Sequence, residues 1–261
     1  SGGGDTRAST RIPDQPSVAP LLGRLAECRH VALAAADAVP IEHHAMLSDQ
    51  RTIALLSPRG RITWLCPARI DGPALFADLL GGPEAGHWTV APADRLDAEG
   101  EPAGDAPHQR YEEDTLVVRT DWGDVSVVDY LDCAGGRPRQ HAGRCELLRV
   151  LEGRGRVRVE FAPRLDFGRS PTALEAVEDG LVVHGGPEAI VLRSEGVAWS
   201  IETRGRHQTA IAEVELDPAE GPLALELRFG ERPEGPPGAG GPRVLRVPRP
   251  EPLRREETAR F

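Results

Sequence analysis

Residues 145–165 read CELLRVLEGRGRVRVEFAPRL, and the spacing of their side chains decides the fold class. Over 156–161 charged and apolar residues alternate. Val157, Val159 and Phe161 therefore share one face of an extended strand, and Arg156, Arg158 and Glu160 share the other. The largely apolar stretch CELLRVL, 145–151, precedes it, and Gly153 and Gly155 punctuate the join. The pattern predicts two strands paired as a hairpin around EGRG, 152–155.

The same period of two governs most of the chain from Arg51 onward. RTIALLS and RITWLC flank the Gly-containing turn PRG and read as a hairpin. HWTVAP is a strand, and YEEDTLVVRTDW pairs with DVSVVDYLDC around Trp122 and Gly123. LVVHG, AIVLRS, VAWSIETR, TAIAEVEL, PLALELRFG and RVLRVPR follow as further short strands between Gly/Pro turns. Helical signals are few. Asp14, Pro16 and Pro20 open one long pattern that Pro40 closes, and Pro73 starts a short helix that Gly81 and Gly82 stop. The last residues, 253–261, turn helical again. Many short strands with few helices predict a mostly-β, antiparallel sandwich. The expected organisation is an N-terminal segment over 1–39, a β-sandwich over 40–250, and the start of a linker helix over 251–261.

Composition narrows the function. The chain has 261 residues and a formal net charge of −10, with 39% hydrophobic and 28% charged residues. It is apolar enough for a packed core. It lacks the basic face that nucleic acid or an anionic membrane surface demands. There is no lysine, which with the many Ala, Gly and Pro residues suggests a GC-rich genome. No stretch has the length of a membrane span, and the first ten residues lack the apolar centre of a signal peptide. Cys28, Cys66, Cys133 and Cys145 are irregularly spaced, with no C-x-x-C, and fit reduced thiols in a cytoplasmic protein.

Chemistry-bearing motifs are scarce. Cys28 and His30 are two apart on a helix and diverge, and adjacent His43 and His44 suit one metal poorly, so neither metal nor cofactor is expected. No G-x-S-x-G and no phosphate-cradling glycine loop occurs. Most acidic residues alternate outward on strands, unlike the facing pair of a glycosidase. What stands out is a charged, proline-bounded frame around the first hairpin: Asp49, Arg51, Trp64, Arg69 and Asp71, ahead of Pro73. Two readings fit it equally. Asp49 caps a turn and Pro73 opens a helix, or the group forms a rigid polar rim against a neighbouring domain or a sugar, with Arg–carboxylate pairs giving direction and the indole a face for sugar C–H groups.

The stretch IEHHAMLSDQRTIALLSPRGRITWLCPARIDGPALFADLLGG resembles the opening signature of glycoside hydrolase family 15 proteins of the trehalase and bacterial glucoamylase type. YEEDTLVVRTDWGDVSVVDYLD, RVLEGRGRVRVEFAPRLDFGR and the final EETARF resemble later motifs of that family, in the same order. His43 replaces the family's Asp, Thr63 precedes Trp64 where the family has Asp, and Ile70 and Gly72 replace an aromatic and a Ser; Arg69 and Asp71 match. The resemblance implies a non-catalytic N-terminal super-β-sandwich with no catalytic residue and no cofactor of its own. Its partner would be a C-terminal α-helical barrel whose two glutamates hydrolyse an α-glucoside, trehalose or a maltooligosaccharide, with inversion. The Arg69–Pro73 loop would meet that catalytic domain near its sugar pocket. GDTRASTRIPDQPSVAPLLGRLAE is similar to the end of a trehalose-phosphate phosphatase, which implies such a domain upstream. The rival reading is a carbohydrate-binding or protein-interaction sandwich without associated hydrolysis.

Overall fold

A computed structural model describes residues 39–67, 69–98, 100–133, 145–230, 255, 256, 258 and 259. The helix expected between Asp14 and Pro40, the phosphatase-like stretch and the strand RVLRVPR lie outside the described residues.

Two antiparallel sheets form the sandwich. One has seven strands, in the order β1 (Ala45–Ser48), β2 (Ile53–Leu56), β3 (Arg61–Leu65), β4 (His87–Pro92), β9 (Gly155–Ala162), β14 (His207–Leu216) and β13 (Ser200–Arg204). The other has eight: β10 (Ala173–Val177), β11 (Gly180–His184), β12 (Ile190–Arg193), β15 (Leu223–Phe229), β8 (Cys145–Gly153), β7 (Val125–Leu131), β6 (Val118–Asp121) and β5 (His108–Tyr111). Inward residues of both sheets form one core, with Leu47, Leu56, Trp88, Val159 and Phe161 facing Val127, Leu147, Leu151, Leu192 and Leu227. Trp88 meets Phe161 edge to face at 5.6 Å, a favoured aromatic geometry.

The expected hairpin at 145–165 is not one. β8 pairs with β7 and β15, whereas β9 pairs with β4 and β14. Both edges of β8 are therefore occupied, and the Gly153–Gly155 join carries the chain from one sheet to the other. The side chains explain the sorting. β9 alternates and buries one face, while β8 is apolar on both, with Leu147 and Leu151 in the main core and Leu148 and Val150 in a second cluster.

The first hairpin forms as expected, β2 on β3, with a register shift between Leu55 and Leu56. The helix after it is shorter and later than expected: α1 is Asp78–Gly81, and Pro73 does not start it. Leu75 and Phe76 are drawn into the core first. The Leu75 N–H donates to Leu65 O at 2.9 Å, and the Leu65 N–H donates to Phe76 O at 3.0 Å. The edge strands β1, β5 and β10 are short and were not distinguished by the alternation. The described residues 255, 256, 258 and 259 are helical, as the sequence suggests.

Candidate functional site

The antiparallel registers bring several connections to one end of the sandwich. Ser48 pairs with Ile53, and Ala54 with Leu65, so the 49–52 turn and the 66–73 loop share that end. The loop after β9 joins them, since Arg164 N–H donates to Leu75 O at 2.9 Å and Phe167 N–H to Ala74 O at 3.1 Å. Cys133, just past β7, lies with its Sγ 3.9 Å from Ser48 O.

Asp49 is buried, and its Oδ1 accepts the backbone N–H groups of Arg51 at 2.9 Å and Thr52 at 2.6 Å. The local reading of Asp49 holds: it closes an Asx-type turn whose Gln50 takes a left-handed φ of 68°. Arg69 and Asp71 face each other across Ile70 as a two-pronged pair, Nε to Oδ1 at 2.9 Å and Nη2 to Oδ2 at 2.7 Å. The Arg69 guanidinium holds the Asp71 carboxyl below the usual carboxylate range. The two side chains are 73% and 65% exposed. At that exposure the pair adds little to stability, and its effect is to fix the direction of both groups. Between them Ile70 is 55% exposed.

Trp64 is half-buried rather than an open platform. It packs on Cys66, Ala74 and Ala77, and its ring centroid lies 6.0 Å from that of Phe167. Burial, with the charge of Asp71 second, pushes the Cys66 thiol up to about 11. Nothing in the residue pattern alone marks Phe167. It is exposed, with Arg169 over its ring at 5.3 Å. Asp166 and Phe167 both have positive φ, 52° and 57°, a conformation that costs side-chain-bearing residues about 1–2 kcal/mol each. Arg169 holds the bend by donating to Asp166 O at 3.2 Å and Oδ1 at 3.1 Å. The one sequence signal for this corner was the DFGR motif within the family resemblance.

The structure thus gathers Trp64, Arg69, Asp71 and Phe167 around the 66–77 segment, with Asp49 and Arg51 in the neighbouring turn. Apart from Asp49, the buried carboxylates among the described residues are engaged elsewhere: Asp129 by Arg149, Glu160 by Arg204 and His87, and Glu226 by Arg228. No group of three or more His, Cys, Asp or Glu among the described residues is placed to hold a metal ion. No described helix is long and apolar enough to cross a membrane.

Two antiparallel sheets with an exposed loop corner define a β-sandwich protein. The family model for the trehalase-like N-terminal domain matches residues 27–245, and the chain belongs to that family. It is similar to the trehalase of Mycobacterium tuberculosis, 36% identical over 83 residues, which are 32% of this chain and 11% of that protein. It is also similar to the trehalase of Thermoplasma volcanium, 23% identical over 161 residues, 59% of this chain and 25% of that protein. The chain spans a quarter or less of the length of these curated relatives, 11% and 25%.

Proposed function

We propose that this chain is the non-catalytic N-terminal β-sandwich of a trehalase- or glucoamylase-type glycoside hydrolase, and that its loop corner seats against the catalytic barrel of the same polypeptide. The observation that carries the reading is the corner itself. Apolar Ile70 and Phe167 stand exposed on tightly held loops, ringed by the Arg69–Asp71 and Arg169–Asp166 pairs. Exposed apolar groups with a polar rim suit a protein partner. The buried carboxylates among the described residues are bound to Arg, His or backbone N–H groups, unlike the free acid of raised pKa facing a second carboxylate that a glycosidase uses. A carbohydrate-binding module would want a flat, open aromatic, and Trp64 is spent on Phe167. The free thiols of Cys66 and Cys133 suit a reducing compartment, and we place the protein in the cytoplasm.

The 261-residue chain alone is expected to release no glucose from trehalose or maltotetraose. In the longer parent, Ile70→Asp with Phe167→Asp should lower trehalose or maltooligosaccharide hydrolysis by about tenfold, ~1.4 kcal/mol of lost seating, while the isolated domain with both changes still folds, as its circular dichroism spectrum would show. A parent that keeps full activity with both changes would overturn the assignment of this corner.

A further inference from the structure

Over β7 and β8 the eight-stranded sheet is apolar on its outer face as well as its inner one. Val117, Val128, Tyr130, Leu148 and Val150 point away from the core, yet each is at most 1% exposed. Val128 pairs across the strands with Val150, and Tyr130 with Leu148, so the patch is continuous over β7 and β8. The outer face of the other sheet differs: there Arg156, Glu213 and Glu215 are each more than half exposed. An apolar sheet face is stable only when covered.

The described residues at the C-terminus reach this face at two points. Arg255 donates from Nη1 to Glu152 Oε1 at 3.1 Å and from Nε to Glu112 Oε2 at 3.4 Å, and its Nη2 also engages Glu112. Arg119 of β6 shares both acids, 2.9 Å from Glu152 and 3.9 Å from Glu112. Two guanidinium groups and two carboxylates thus balance in one network, with side chains only 18–30% exposed. Three residues on, the Thr258 hydroxyl accepts the Cys133 N–H at 3.1 Å and donates to Asp132 Oδ1 at 3.3 Å. Glu152 sits opposite Ser126 on β7, and Asp132 follows the end of that strand. The two anchors therefore bracket Val128 and Tyr130, and residues 255 and 258 lie on one side of a helix.

We propose that the outer face of β7 and β8 is the seat of the chain's own C-terminal residues 255, 256, 258 and 259, pinned by Arg255 to Glu112 and Glu152 and by Thr258 to Asp132. Thr258 is thereby held beside Cys133, at the same end of the sandwich as the 49–52 turn. The seat stands whatever partner the loop corner meets.

Hydrogen exchange on the 261-residue chain tests this directly. At low salt the 255–259 amides should exchange at least about tenfold more slowly than in an unstructured peptide of the same sequence. High salt should erode that protection, because a partly exposed ion network is screened. Arg255→Glu should abolish it and raise the fluorescence of a hydrophobic dye as Val128, Tyr130, Leu148 and Val150 open. Arg156→Glu, the same charge change on the other sheet, should do neither. Thr258→Val should give a partial loss. Unstructured exchange in the unmodified chain, or protection that survives Arg255→Glu, would overturn the proposal.

Discussion

Glu160 shows how far a single side chain can depart from its place in the pattern. It alternates outward on β9 with Arg158, as 156–161 predicts, yet its side chain is only 9% exposed. Burial opposes its ionisation, but His87 at 3.6 Å, Arg204 at 3.3 Å and Arg158 at 4.0 Å outweigh that and hold its pKa below the ordinary value of 4.5. A carboxyl whose pKa falls on folding gives its full stabilisation above the ordinary value, and loses it as the pH drops through the lower, folded value. The melting temperature should therefore decline below about pH 4.5. Glu160→Gln should flatten that decline and cost about 1.5–3 kcal/mol at neutral pH, the range for hydrogen bonds to charged groups. An acid limb that is unchanged in the variant would show that Glu160 does not govern it. The sequence made the outward direction of Glu160 legible, because that follows from a period of two. It could not show the burial, which depends on Arg204, 44 residues away. The same limit applies at the candidate site. Arg69 and Asp71 were legible as neighbours that could pair, while Phe167 joins Trp64 only because β9 and the 66–77 segment end side by side.

At the scale of elements, the join at 153–155 separates what periodicity can and cannot decide. A glycine-flanked turn looks alike whether the next strand returns in the same sheet or crosses to the facing one. What distinguishes the two here is the mismatch between a strand apolar on both faces and one apolar on a single face, since strands of unlike burial belong to different layers. Gly153 is what makes the crossing sharp enough. Its φ is +108°, and a Cβ there would lie 2.0 Å from the Asp124 carbonyl oxygen. Gly123 has a similar φ of +101° with nothing within 4 Å. Gly153→Ala should thus cost clearly more than Gly123→Ala, whose penalty is the backbone term of about 1–3 kcal/mol alone. Urea midpoints for the two variants measure the difference, and equal midpoints would mean that the Asp124 carbonyl yields freely. The edge strands β1, β5 and β10 escaped the sequence for a related reason: four or five residues hold too few alternations to stand out.

For the molecule as a whole, a sandwich that holds one loop corner in place must not let its layers slide. Arg149 is the strongest tie between them. It is fully buried, and on β8 it sits directly across from Asp129 of β7, binding it at 2.7 Å and 3.3 Å. Its remaining N–H groups cross the core and donate to the carbonyls of Trp88 on β4 at 2.6 Å and of Gly60, in the turn before β3, at 2.7 Å, with the guanidinium 5.3 Å from the Trp88 ring centroid. One side chain thus joins strands of both layers, where apolar packing alone has no direction. ELLRVL does not announce this role, because an arginine between apolar neighbours reads equally well as pointing outward. Burial pushes the Asp129 carboxyl above its ordinary range, and Arg149 draws it back, so the pair stands or falls together. Arg149→Met should cost about 3–5 kcal/mol, the usual penalty for leaving a buried charge without its partner. Adding Asp129→Leu should recover part of the loss, since an apolar pair can replace a buried ionic one. Recovery should remain incomplete, because the hydrogen bonds that the charged guanidinium gives the Trp88 and Gly60 carbonyls are lost, at about 1.5–3 kcal/mol each. Urea unfolding of the single and double variants separates these terms. If the double variant regains full stability, the link to the second sheet contributes nothing, and the layers are held by packing alone.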